Sequence, residues 1–91
     1  MRESSIERRL KQAVERRGGQ ALKLITPGRA GIPDRLVLLP GGRTVFVELK
    51  APGKHPRPLQ LKRRAELQAL GFEVYVVDTY EAVQRFVEEV F

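Results

Sequence analysis

Apolar residues near the start of the chain recur at the spacing of a helix. Within residues 4–17, Ile6, Leu10 and Val14 fall on one stripe, while the remaining positions are mostly polar or basic. Ser4 begins a sequence that fits a capping box. The pattern therefore predicts a first amphipathic helix.

The apolar runs that follow predict four strands and two more helices. A run at 72–77 follows a crossover helix, so it should pair in parallel with a strand of the preceding hairpin. The apolar face of the last helix fits either the core or a dimer seam, and the pattern does not separate these. Together the runs predict a single α/β domain, residues 1–91, with a mixed sheet flanked by helices. The predicted elements are strands at 20–25, 36–39, 44–50 and 72–77, and helices at 59–70 and 80–90.

Composition narrows the class of partner. The 91 residues carry 17 Lys and Arg against 11 Asp and Glu, a net charge of +6. A small basic domain favours a polyanionic partner, most simply nucleic acid, although it also fits a generally basic soluble protein. The absence of cysteine excludes disulfides, a thiol nucleophile and cysteine-ligated zinc. The longest apolar run is too short to span a bilayer, so we expect an intracellular, cytoplasmic protein without a membrane partner.

Charged residues gather at one end of the predicted hairpin. Successive strand residues point to opposite faces, so Glu48 and Lys50 project together at the end of the second strand. Asp34 begins the first strand, which places it beside them in an antiparallel hairpin. Two carboxylates and an ammonium at a strand end suit Mg²⁺ or Mn²⁺. Taken singly, Asp34 also fits a turn residue and the Glu-x-Lys pair a solvated one.

These residues carry a family resemblance. Gly31-Ile-Pro-Asp34, Val47-Glu-Leu-Lys-Ala-Pro-Gly53 and Leu59-Gln60 resemble the signature of VRR-NUC nucleases, a branch of the PD-(D/E)xK superfamily. The resemblance implies a restriction-endonuclease-like α-β-β-β-α-β(-α) core. It also implies a metal-dependent DNA endonuclease, similar to Holliday-junction resolvases, that acts as a homodimer on branched DNA. A flap or linear-duplex nuclease, or a non-catalytic nucleic-acid-binding module, remains open.

The resemblance also assigns roles in the site. Asp34, Glu48 and the main-chain carbonyl of Leu49 would hold the metal. Lys50 would orient the attacking water or stabilise developing charge, and Gln60 would assist positioning.

Two further sets of residues are less specific. Glu7, on the first helix, fits either a helix cap or an acidic member of the metal shell, with Glu3 as its rival. The lone histidine fits a phosphate contact, simple exposure or a general base. The candidate DNA contacts, each of which could instead be solvated, are Lys23, Arg29, Lys54, His55, Arg57, Lys62 and Arg8.

Overall fold

Three helices and four strands form the chain in a computed structural model that describes residues 2–91. The order confirms the predicted succession of elements. The bounds are α1 Glu3–Arg16, β1 Gln20–Lys23, β2 Arg35–Leu38, β3 Thr44–Leu49, α2 Pro58–Ala69, β4 Val74–Val77 and α3 Tyr80–Val90.

The four strands form one mixed sheet in the order β1-β2-β3-β4. β1 pairs antiparallel with β2, and β2 with β3, so the predicted hairpin is confirmed. β3 pairs in parallel with β4, as the crossover through α2 requires. The register sets Arg35 opposite Val47. Continued by one residue, it brings Asp34 opposite Glu48.

The hydrophobic core lies on one face of the sheet, beneath α1 and α3. The apolar stripe of α1 is buried there, as predicted. The apolar face of α3 is buried against it too, so this face closes the core within the chain. The core residues with less than 2% exposure include Ile6, Leu10, Val14, Val37, Val45, Val47, Leu49, Val77, Val83 and Val87.

The other face of the sheet is covered more thinly. Within Pro58–Ala69 no side chain of α2 is fully buried. Phe46 of β3 packs edge-on against Phe72, with ring centroids 5.5 Å apart, yet Phe72 remains 42% exposed and Leu22 of β1 43% exposed. A partly open apolar surface therefore lies beside α2.

A predicted helix cap and two predicted strand ends differ from the structure, whereas the other element bounds agree to within one residue. α1 begins at Glu3, and its N-cap residue is Arg2 rather than Ser4, without a side-chain cap bond. β1 ends two residues early because the chain turns at Thr26, whose carbonyl accepts a hydrogen bond from the Arg29 backbone N–H. β4 starts two residues late because the Phe72 backbone N–H donates to the Leu67 carbonyl at the end of α2 and is not available to the sheet.

No helix among residues 2–91 is long and apolar enough to cross a membrane.

Candidate active site at the end of the hairpin

Two carboxylates meet where β2 begins and β3 ends. Asp34 and Glu48 lie on the α2 side of the sheet, because each is an even number of residues from the paired Leu36 and Phe46. The backbone N–H of Leu49 donates to Asp34 Oδ1 at 3.1 Å. This bond ties the Asp34 carboxylate to the end of β3, so the structure brings together the two predicted metal ligands.

Glu48 is a buried acid with an incomplete set of partners. Its residue is only 6% exposed, and its Oε2 has no hydrogen-bond partner among residues 2–91. Burial, followed by the negative charge of Asp34, raises the pKa of Glu48 to about 7. A buried carboxylate oxygen without a donor is unfavourable for the protein alone. It is the kind of oxygen that a cation would satisfy.

Gln60 is fixed against Glu48 by the start of α2. Its amide oxygen accepts from the Arg57 backbone N–H at 2.8 Å, in the manner of a capping box. This contact orients the amide, so that Gln60 Nε2 donates to Glu48 Oε1 at 3.3 Å. The predicted placement of Gln60 at the site is therefore realised through a direct contact with a carboxylate.

Glu7, a candidate for the metal shell, pairs with Arg35. Its Oε2 lies 2.6 Å from Arg35 Nη2, and Arg35 Nη1 lies 3.5 Å from Asp34 Oδ2. No three acidic or histidine side chains within residues 2–91 group closely enough to hold a metal together. Glu3 is near enough to Glu48 that its charge helps to raise the pKa of that carboxyl. Glu7 thus reaches Asp34 only through Arg35.

Two cations complete the electrostatics of the site. The charges of Lys50 and Arg64 both act to lower the pKa of Glu48, against the stronger effect of burial. Lys50 was predicted, whereas Arg64 was missed. Its signal was available, because Arg64 follows Gln60 by four residues on α2 and so shares its face. Within residues 2–91, Arg64 is half-buried and has no acidic side chain within 4 Å.

The loop before Asp34 is anchored to α2. Arg29 Nη2 contacts Glu66 Oε1 at 3.0 Å, and Arg63 holds both Glu66 and the Ala30 carbonyl. Gly31 adopts a φ of +85°, and a Cβ there would come within 2.8 Å of a Leu59 side-chain carbon. These contacts tie the loop to α2, and they give Arg29, a candidate DNA contact, an intramolecular partner.

The other candidate DNA contacts lie at the surface. They lie on α1, at the end of β1, in the segment before α2 and on α2. All are exposed: Lys23, Lys54, His55, Arg57, Lys62 and Arg8.

Comparison with known proteins gives two findings, while no family model matches the chain. Over 81 residues the chain is 52% identical to "Putative nuclease p44" of Acyrthosiphon pisum secondary endosymbiont phage 1, an alignment that covers 89% of this chain and 87% of that protein. A solved structure described as "VRR_NUC domain" superposes with a TM-score of 0.90 at 34% identity, over 98% of this chain and 97% of that one.

Proposed function

The chain belongs to the VRR-NUC family of nucleases, and from this membership and its site we propose that it is a divalent-metal-dependent DNA endonuclease. The observation that carries the proposal is the buried, unpartnered Oε2 of Glu48 beside the ordered carboxylate of Asp34. Two carboxylates, with waters and phosphate oxygens completing the shell, are the ligands Mg²⁺ commonly takes.

The residues present fit such an ion. Asp34 and Glu48 would hold it, with the Leu49 carbonyl as a further oxygen from the same strand end. When bound, the cation supplies a water of lowered pKa and offsets charge on the reacting phosphate. It would also provide the partner that Glu48 Oε2 lacks within the protein.

Other side chains at the site would act on the water, on Glu48 and on the phosphate. Lys50 orients the attacking water or stabilises the negative charge that develops on the phosphate oxygens. Gln60 keeps Glu48 in place through the bond from its Nε2. Arg64 contacts the phosphate being cut, because it stands on the same face of α2 without an acidic partner within residues 2–91. We retain no direct metal role for Glu7, whose carboxylate binds Arg35.

We further propose branched DNA, such as a four-way junction, as the substrate of a homodimer. A net charge of +6 supports nucleic-acid binding through phosphates. The half-exposed apolar face beside α2, with Leu22 and Phe72 each more than 40% exposed, supports association with a second copy. A two-fold dimer carries two sites, which suits cleavage of two strands.

The test is cleavage of linear, flapped and four-way-junction DNA with Mn²⁺, Mg²⁺ or EDTA. We expect cutting that requires the metal, is lost in Asp34→Ala and Lys50→Ala, and favours the junction. Lys11→Ala is the matched control for Lys50→Ala, because Lys11 pairs with Glu15 on exposed helix surface.

Three outcomes distinguish the alternatives. DNA binding by the wild type without cutting in either metal would mean a non-catalytic module. Uniform cutting of linear duplex would contradict junction selectivity while keeping the nuclease. A monomer of about 10 kDa in solution that nevertheless cuts would contradict the dimer, since one chain has a mass of 10.3 kDa.

A further inference from the structure

Arg35 is a buried cation placed between two carboxylates. Its residue is 6% exposed, although it begins a strand whose next inward-facing residue is the fully buried Val37. Its guanidinium meets Glu7 on α1 at 2.6 Å and the Asp34 carboxylate at 3.5 Å. Taking such a cation out of water is costly unless its partners are well placed. The position of Arg35 at the edge of the core therefore indicates a role other than packing.

The guanidinium also holds the backbone of the residue it faces. Arg35 Nη1 donates to the Asp34 main-chain carbonyl at 2.8 Å. The same carbonyl accepts from the Leu24 backbone N–H at 2.9 Å. The main chain that carries the Asp34 side chain is thus fixed from two directions.

The Asp34 carboxylate is constrained at both oxygens as a result. Oδ1 accepts from the Leu49 N–H at 3.1 Å, and Oδ2 faces the Arg35 guanidinium. One constraint comes from β3, which also carries Glu48, and the other comes from Arg35. A carboxylate held in this way has a fixed orientation beside Glu48, and a fixed orientation favours the binding of one small cation by both carboxylates.

We propose that Arg35 is a positioning residue that sets the Asp34 carboxylate for metal binding, and that Glu7 acts on the site only through Arg35. The inference rests on the proposed metal-dependent function and assigns residues to it. Glu7 holds the guanidinium from the α1 side, so Arg35 does not collapse onto Asp34 or turn out to solvent. Lysine is a poor substitute, because a single ammonium cannot face both carboxylates and the backbone carbonyl together.

The experiment measures Mn²⁺ affinity in the absence of DNA, by the loss of the free-ion electron paramagnetic resonance signal. Wild type is compared with Arg35→Gln, Arg35→Lys, Glu7→Gln and the double variant. Arg43→Gln is the matched control, because Arg43 also joins a carboxylate and a backbone carbonyl but belongs to the network of Glu73 and the Val90 carbonyl. Circular dichroism and thermal unfolding report whether each variant is folded.

We expect Arg35→Gln to weaken Mn²⁺ binding about 10- to 100-fold, as loss of an outer partner of a metal ligand does. Arg35→Lys should recover only part of this loss, and Arg43→Gln should bind as wild type does. Glu7→Gln should weaken binding in the wild-type background and have no further effect in Arg35→Gln. If Arg35→Gln does not fold, Glu7→Gln and Arg35→Lys carry the comparison, since the Glu7 side chain is 48% exposed.

Each contrary result is distinct. Unchanged Mn²⁺ affinity in folded Arg35→Gln overturns the positioning role while leaving the proposed nuclease intact. If Glu7→Gln weakens Mn²⁺ binding equally in the wild-type and Arg35→Gln backgrounds, Glu7 does not act through Arg35 and is a direct metal ligand. Failure of the wild type to bind Mn²⁺, with or without DNA, overturns the proposed function and this inference with it.

Discussion

Replacing Glu48 with glutamine should stabilise the metal-free protein at alkaline pH while removing its metal-dependent activity. The reason is the buried carboxylate, whose Oε2 has no hydrogen-bond partner among residues 2–91. Burial and the charge of Asp34 raise the pKa of Glu48 from 4.5 to about 7. A side chain that stays neutral escapes the cost of ionising in that environment.

The sign and size follow from this pKa. Between pH 4.5 and about 7 the folded state holds a proton on Glu48 that the unfolded state has lost. Stability therefore falls as pH rises through that window, and the full loss is present above it. One pKa unit corresponds to about 1.4 kcal/mol, so ionised Glu48 costs the folded state up to about 3 kcal/mol. We expect Glu48→Gln to recover about 1–3 kcal/mol, because its amide is not fully paired either.

The assay is thermal unfolding in EDTA at pH 8.5 and pH 4.5, with Glu89→Gln as an exposed control. A gain of 1 kcal/mol raises the melting temperature of a domain this small by about 4–8 °C. Glu48→Gln should melt higher than wild type at pH 8.5, and most of that difference should vanish at pH 4.5. Adding Mg²⁺ at pH 8.5 should stabilise the wild type and leave Glu48→Gln unchanged. Equal melting temperatures at pH 8.5, with the same pH dependence in both proteins, would show that ionised Glu48 does not destabilise the fold.

Three other substitutions test the role of Arg64, the packing of the loop at Gly31 and the dimer interface. Arg64→Gln should lower the cleavage rate at saturating DNA about 10-fold or more. Lys62→Gln removes the same charge from the exposed side of α2 and should chiefly weaken DNA binding. If the two variants changed the cleavage rate and the DNA affinity to the same extent, a contact between Arg64 and the reacting phosphate would be contradicted. Gly31→Ala should destabilise the fold by about 1 kcal/mol or more in denaturant unfolding, because φ is +85° and the added carbon would meet Leu59. A variant as stable as the wild type would show that the loop is free to shift. Phe72→Lys should convert the dimer to a monomer, as measured by light scattering, because Phe72 is 42% exposed on the thinly covered face of the sheet. If the variant remained a dimer, the interface would lie elsewhere.

The site's carboxylate pair could be predicted because it depends on local rules. Strand alternation sets which residues share a face, and the hairpin sets which residues lie opposite one another. These two rules bring Asp34 and Glu48 together without any knowledge of the rest of the fold. The helix start at Pro58 then brings Gln60 over the same rim, and the structure adds the orientation of its amide.

The contacts that were missed depend on packing between distant elements. The pairing of Glu7 with Arg35 needs the crossing of α1 over β2, which no spacing within either element reveals. A strand that begins with a buried arginine also breaks the expected apolar pattern, so Arg35 was passed over. The pairing of Arg29, a candidate DNA contact in the loop before Asp34, with Glu66 of α2 likewise depends on packing between elements far apart in the sequence.

The position of Mn²⁺, located by anomalous scattering in crystals soaked at pH 8, shows directly whether Asp34 and Glu48 hold the metal. We expect a peak about 2 Å from an oxygen of Asp34 and from Oε2 of Glu48, which has no protein partner among residues 2–91. The peak should be absent from Glu48→Gln crystals treated in the same way. A bound Mn²⁺ elsewhere in the wild type, with nothing between these two carboxylates, would contradict this expectation.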